Sequence, residues 1–468
     1  MRKTIVIKII SFIPLLLLVL LLLTACPQHI DTQYGIKVVG DGSDGAFALY
    51  EDRLGGNVYV QKISPDGKTL WGKNGVLLGK NETQSYIYHF SYIVSDGEGG
   101  VIVSWSGSAY HTVKLDASGN FVWQKDFEHI DQLMPDGSGG VIVDISPDEN
   151  SIVLTRIDSD GNLPWGTTVS LPYPGYGHQV VNDGSGGTVI AYLKLRYPEG
   201  AQPGETTSQG YIYVQKIDSK GQLSWGDEGQ LIYSTPDNTY AEDLQITGDG
   251  SGGAIVSWHQ GPTGKIESGS PEALLMDVIV QKIDASGKIV WKEGGLPLEI
   301  NRAAENAFPI EPLLMNDGLG GAIITWRDGR DRSSGVEASL YAQKVDKDGN
   351  LLWQGGGVKV SSTSLNPHHA IIYDSSGGAI ISYSFPGDWK MLHAQKLDSD
   401  GKTLWGENGV LVIGDDYTGD SVSPDGLGGV VIGWGTSKGR VGSEEAYIQR
   451  VSADGTLLWG AGGIKLNP

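Results

Sequence analysis

Apolar residues in this chain fall in short runs separated by glycine-rich turns. In one representative stretch, 370–373 is apolar and β-prone, and Asp374-Ser-Ser-Gly-Gly378 has turn composition. A second apolar run covers 379–383, and a third covers 392–397. Asp398-Ser-Asp-Gly401 reads as another tight turn, and 402–405 as a fourth strand. Glycines at such turns supply the positive φ that other residues resist. The second strands, such as Val101-Ile-Val-Ser-Trp105 and Ala322-Ile-Ile-Thr-Trp326, are continuously apolar rather than alternating. That pattern predicts sheets covered on both faces.

The pattern recurs eight times. Its first marker is Asp-Gly-x-Gly-Gly, at Asp96, Asp136, Asp183, Asp249, Asp317 and Asp425, with variants at Asp41 and Asp374. A basic residue follows on the third strand: Lys62, Lys114, Arg156, Lys216, Lys282, Lys344, Lys396 or Arg450. The last marker is a tryptophan four residues after a glycine: Trp71, Trp123, Trp165, Trp225, Trp291, Trp353, Trp405 or Trp459. The basic residue and the tryptophan are nine positions apart in every copy, whereas the other two intervals vary widely. Each unit therefore has one rigid hairpin and two adjustable surface connections. Units of this size, each a four-stranded meander, predict an all-β chain forming an eight-bladed β-propeller of four-stranded antiparallel blades. An open β-solenoid and a seven-bladed ring with one unit outside remain alternatives. The recurrent tryptophan is expected to wedge between blades. Trp105, Trp258, Trp326 and Trp434 end second strands, and Trp389 alone has no repeat position.

The segments Asp346-Lys-Asp-Gly349-Asn-Leu-Leu-Trp353 and Asp284-Ala-Ser-Gly287-Lys-Ile-Val-Trp291 resemble the turn and docking tryptophan of quinoprotein-dehydrogenase-like propellers. That group includes eight-bladed enzymes and a non-enzymatic outer-membrane lipoprotein propeller of the barrel-assembly machinery. The resemblance implies a ring with tryptophan docking between blades, over about nine residues of each unit. Asp-Gly-x-Gly-Gly is not part of that family's pattern, and the turn is one residue shorter. The enzymes' vicinal cysteine pair cannot exist in a chain with one Cys, so no quinone or other cofactor is expected. The repeats also look like those of bacterial surface lipoproteins.

The amino terminus changes the picture of where the ring works. Arg2, Lys3 and Lys8 precede an apolar stretch over 9–23, and Leu23-Thr24-Ala25-Cys26 resembles the bacterial lipobox. The resemblance implies a signal peptide over 1–25 and a lipidated Cys26. A tether over 26–35 and a single propeller domain over 36–468 would follow. A plain cleaved signal and an uncut anchor are the other readings. Cys26 is the only cysteine, which rules out internal disulfides and suits an exported chain. Two or three acyl chains, palmitate among them, hold a protein on a membrane where one is marginal. The formal net charge of −21 repels nucleic acid and anionic lipid. The expected setting is the bacterial cell envelope, facing outside the cytoplasm, with the protein a monomer.

Candidate chemistry is sparse. The marker aspartates come singly, so an Asx turn explains them better than calcium, which needs several convergent oxygens. The repeated Lys or Arg reads as structural, its stem over apolar surface and its head toward water or an acid. No His-Glu-x-x-His or Cys-His cluster supports zinc, and no metal is assigned. One register stands out. Five residues before the marker, at the start of the innermost strand, lie Asp131, His178, His369 and Asp420, with Glu242, Asp243 and Glu311 nearby in register. In a propeller these starts gather at one mouth of the channel. They form a candidate site for a metal, a cationic ligand or a sugar, or else a solvated acidic rim. Long second-to-third-strand connections over 194–210, 259–277, 327–338 and 435–445 share that face. The expected role is a lipid-anchored binding or scaffold module for protein or glycan partners. The alternatives are an extracellular enzyme on polysaccharide or peptide, and an envelope-assembly scaffold. No catalytic residue can be named.

Overall fold

The computed structural model describes residues 36–466 except 53–55, 81–90, 108, 148–150, 172–175, 197–208, 237–238, 263–276, 299–309, 331–338, 362–368, 385–390, 415–416 and 438–443. The expected signal peptide over 1–25, Cys26, the expected tether over 26–35, Trp389 and much of the four long connections lie outside the described residues. Strand pairing makes eight four-stranded sheets, each a meander in chain order. They span 36–80, 91–127, 132–170, 176–234, 239–297, 310–361, 369–413 and 417–465, and are termed blades 1 to 8. All pairings are antiparallel, as short turns between consecutive strands require.

The ring closes without mixing the chain ends in one sheet. The first strand of every blade touches the first strands of its two neighbours, and Ile36–Gly40 of blade 1 meets Tyr417–Pro424 of blade 8. These first strands therefore surround the axis. At the closure, Val38 N–H donates to Ser421 Oγ (3.1 Å) and Gly40 N–H to Ser423 Oγ (2.8 Å). Ile36, Val38, Ala48, Val431 and Ile448 share one buried cluster across the seam. The second strands are buried on both faces, as their unbroken apolar runs predicted.

Every recurrent tryptophan docks on the following blade. The indole N–H of Trp123, Trp165, Trp291, Trp353, Trp405 and Trp459 donates to a turn carbonyl there: Ser159, Ser219, Lys347, Ser399, Ala453 and Pro65. The last of these bonds runs from blade 8 to blade 1. The glycine of that turn lies flat on the ring. A Cβ at Gly401 would fall 2.8 Å from Trp353, and one at Gly67 2.8 Å from Trp459. Both glycines also have positive φ, so this turn needs glycine twice over. The inter-blade docking implied by the resemblance is present in all eight units.

The marker aspartate and the third-strand cation form a second link. Asp96 Oδ1 accepts the N–H groups of Glu98 and Gly100, both at 2.8 Å, which is the expected Asx turn. Its other oxygen lies 3.4 Å from Lys114 Nζ, and the same nitrogen donates to Gly139 O of blade 3 at 2.7 Å. The ion pair recurs in all eight blades, from Lys62–Asp41 to Arg450–Asp425. Of the two destinations expected for the cation head, the acid takes it. Each buried charge is thus both paired and hydrogen-bonded, the condition under which burial is tolerated.

The fourth strand is placed differently from expectation. In blade 7 it is Val410–Ile413, beyond Trp405, while 402–405 contributes only a bridge from Leu397 to Thr403. The cause is a buried glutamine one residue before the cation. Gln395 Oε1 accepts the N–H groups of Lys396 and Trp405, and its Nε2 donates to Gly406 O. The side chain replaces the ladder and lets the chain step outward. Gln61, Gln215, Gln281, Gln343 and Gln449 likewise bond a carbonyl eleven residues on. In blade 2 this position is Val113, and the strand Phe121–Phe127 includes Trp123, with a bulge at Val122.

Candidate functional site: the channel mouth

The eight Asp-Gly turns and their cations stack blade to blade at one end of the ring, so the first-strand starts and second-strand ends meet at the other. There the residue five before one marker faces the residue eight after the preceding marker. His178 meets Asp144, His369 meets Thr325 with Nε2 and Oγ1 3.2 Å apart, and Ser382 Oγ donates to Asp420 Oδ2 at 2.6 Å. Leu244 and Ala191 pack together at the same register in blades 5 and 4. Of the four candidates from sequence, Asp131 and His178 are brought into one cluster. His369 and Asp420 make separate inter-blade contacts.

That cluster is Asp131, Asp144 and His178, whose ligand atoms lie within 4.8 Å of one another. His178 Nε2–H donates to Asp144 Oδ2 at 2.6 Å, and both side chains are buried. Burial pushes the Asp131 carboxyl upward and the Asp144 charge adds to this. Burial alone would lower His178, but the bond to Asp144 and the charges of Asp144 and Asp131 outweigh it and raise the ring. Ser146 Oγ lies 3.5 Å from the same His178 Nε2 and donates to Asp144 Oδ1 at 2.5 Å. Serine and aspartate thus share one ring nitrogen, whereas a nucleophilic relay needs them on opposite nitrogens. Ser146 Oγ also accepts Val153 N–H, so the network ties a second strand to a third.

Blades 5 and 6 hold the other acidic group. In each, two first-strand residues oppose one second-strand tryptophan in a β-bulge: Asp243 and Leu244 across from Trp258, Glu311 and Pro312 across from Trp326. The bulge gives Asp243 a φ of 55° and Glu311 a φ of 52°, values at which blade 4 places Gly177. Acids in the left-handed region carry a local cost, and such positions concentrate at functional sites. The residue after the tryptophan faces the bulge acid. In blade 6 it is Arg327, whose Nη2 lies 2.5 Å from Glu311 Oε1. In blade 5 it is His259, whose Nδ1 lies 3.5 Å from Glu242 Oε1 and 3.9 Å from Asp243 Oδ2. Among the described residues neither ring nitrogen of His259 has a hydrogen-bond partner, although the residue is only 1 % exposed. Burial, then the charges of Glu242 and Glu311, push the Asp243 carboxyl up to about 6, against the pull of His259.

Asp144 was not singled out from sequence, and His259 and Arg327 were named only as the first residues of two long connections. Their signal is positional: eight or ten residues after a marker, at the end of the second strand. The long connections begin later than expected, because the strands extend into them; His259 lies within Ala254–Pro262 and Arg327 within Ala322–Asp328.

The geometry defines an eight-bladed propeller with an acidic mouth. No family model matches the chain, and no curated protein matches it. Among solved structures, the Dos1 propeller is similar over 86 % of this chain and 93 % of its own, with 11 % identity and a TM-score of 0.43. A eukaryotic initiation factor is similar over 88 % and 94 %, with 11 % identity and a TM-score of 0.42. Porphyromonas gingivalis dipeptidyl peptidase 4 is similar over 90 % of this chain and 58 % of its own, with 10 % identity and a TM-score of 0.43. Likeness at this level carries no functional argument. The ring rests on the chain's own strand pairing.

Proposed function

We propose that the protein is a binding or scaffold module: a propeller held to an envelope membrane by lipid on Cys26, facing outside the cytoplasm. Its mouth engages a protein or glycan partner that presents cationic or hydroxyl groups. The observation that supports this is the contrast in charge balance between the two ends. At the turn end all eight marker acids are paired with cations of the ring itself. At the mouth, two further acids, Glu242 and Glu311, act on Asp243 against the imidazole of His259, and Glu311 is the one that Arg327 pairs with. Unbalanced acids on a rigid rim raise the local concentration of cationic groups. The test uses the full-length chain in mild detergent on arrays of glycans and basic peptides, beside a Glu242→Gln/Asp243→Asn variant. Salt-sensitive binding that the variant loses is expected; binding to neither array would remove the reading. In cells, Cys26→Ser should move the protein from the membrane to the soluble fraction, and an unchanged distribution would remove the anchor.

A further inference from the structure

We infer that blade 5 carries a binding site for a divalent first-row transition metal of the zinc type, held by Glu242, Asp243 and His259. It uses the mouth already described but requires no macromolecular partner. The strongest support comes from blade 6, where the same bulge and register occur. There the bulge acid Glu311 is neutralised by Arg327, a cation supplied by the chain. In blade 5 two acids, Glu242 and Asp243, face His259 at the position of that arginine. A neutral imidazole offers a lone pair where the arginine offers a positive charge. The imidazole is not a permanent cation as the guanidinium is, and a bound metal can supply the fixed positive charge that Arg327 supplies in blade 6.

The donor atoms have suitable spacing. In a tetrahedral zinc site with bonds of about 2.0–2.1 Å, neighbouring ligand atoms stand about 3.3 Å apart. His259 Nδ1 lies 3.5 Å and 3.9 Å from the two carboxylate oxygens, and all three ligand atoms fall within 4.8 Å of one another. Small side-chain adjustments bring them into range. One imidazole nitrogen with two carboxylate oxygens is a zinc-type donor set, and a site with three protein ligands keeps a position open to solvent or ligand. His259 is buried, both ring nitrogens lack hydrogen bonds among the described residues, and Nδ1 is aimed between the acids. A bound metal satisfies Nδ1 and leaves the proton on Nε2. Tyr240, edge-on at 5.9 Å between ring centroids, helps hold the imidazole in place. The Asp131–Asp144–His178 cluster differs, because Asp144 already occupies the His178 nitrogen.

The experiment takes the full-length protein in detergent, strips it with a chelator, and titrates it with Zn²⁺ by calorimetry and with Co²⁺ by visible absorption. One saturable site per chain is expected, with visible bands of low-symmetry cobalt and a zinc-dependent rise in Tm. Loss of a group that merely orients a ligand costs roughly 10–100-fold in affinity. His259→Gln should therefore weaken binding by more than about 100-fold and abolish the Tm rise. Should His259→Gln fail to fold, Glu242→Gln takes its place, since that side chain is 52 % exposed and its loss is tolerated. His178→Gln should leave the stoichiometry unchanged. No saturable binding, binding unaltered in His259→Gln and Glu242→Gln, or binding lost only in His178→Gln would each overturn the inference. Metal binding without any array partner would uphold it while the proposed function fails, so the two are separable.

Discussion

At the mouth, blade 6 sets Glu311 against Arg327, while blade 5 sets Asp243 and Glu242 against His259, in the same bulge and at the same register. Packing beneath them is also alike, with Trp258 and Trp326 each fully buried opposite the bulge. What differs is where the balancing charge comes from. Blade 6 carries its own and is closed electrostatically. Blade 5 leaves an acid whose carboxyl is raised and an imidazole without a hydrogen bond among the described residues. The comparison extends to the whole ring. Its turn end repeats one neutralised ion pair eight times, whereas at the mouth one register holds His178 on Asp144, His369 beside Thr325 and Ser382 on Asp420. Repetition at one end builds the scaffold, and that rigidity lets the other end vary.

The largest effect should come from the scaffold end. Trp353→Ala or Trp291→Ala removes a buried indole and its bond to the next blade, and should cost about 3–5 kcal/mol in chemical denaturation. A loss below about 1 kcal/mol would show that the docking tryptophan does not hold the ring. The next effect is in pH. With chelator present, the Asp243 carboxyl is raised to about 6 from an unfolded value near 3.9, so the native state binds more protons. Its stabilisation is complete below about pH 4, is lost as pH rises through about 6, and amounts to on the order of 3 kcal/mol. Asp243→Asn should flatten that part of the stability–pH curve. Asp136, Asp183, Asp249 and Asp374 at the turn end shift the opposite way. Burial, the largest single influence, raises each, but the serine and backbone hydrogen bonds and the paired cation together outweigh it and lower the carboxyl. They stabilise the fold above about pH 4, and that contribution is lost as pH falls through their lowered values. Mutants of the two ends should therefore alter opposite limbs of one curve.

A smaller effect should follow from Arg327→Met, which leaves Glu311 with no cation. Because the Glu311 side chain is 43 % exposed, the expected loss is about 1–2 kcal/mol, less than for a fully buried pair. His259→Arg, which writes the blade 6 solution into blade 5, should change stability by no more than about 1 kcal/mol in metal-free protein. It should also lower the Asp243 carboxyl, readable by NMR titration. An unchanged carboxyl would mean that the two blades are not equivalent after all.

Much of this was legible in the chain. Eight markers at unequal spacing, joined by one invariant nine-residue interval, required one hairpin used eight times, and the tryptophan closing that interval had to dock somewhere constant. Counting back from the marker put Asp131, His178, His369 and Asp420 at one register, because alternation along a straight strand preserves the count, but it did not tell that only Asp131 and His178 share a cluster. The count failed across the bulges. Two residues opposing one in blades 5 and 6 turn Asp243 and Glu311 toward partners that spacing alone does not suggest. The fourth strand was misplaced for a comparable reason. Gln395 bonds a tryptophan N–H ten residues away, and a side chain that substitutes for a ladder leaves no trace in apolar periodicity.

The amino-acid sequence by itself determined the number of blades, the strand content and the wedge residues, because these follow from local patterns repeated until chance is excluded. Only the tertiary structure decided which acids share a cation and which do not. That depends on ångström-scale positions at bulges and blade interfaces, where the Coulomb energy changes steeply with distance and burial, and where residues far apart in the chain become neighbours only after the ring has closed.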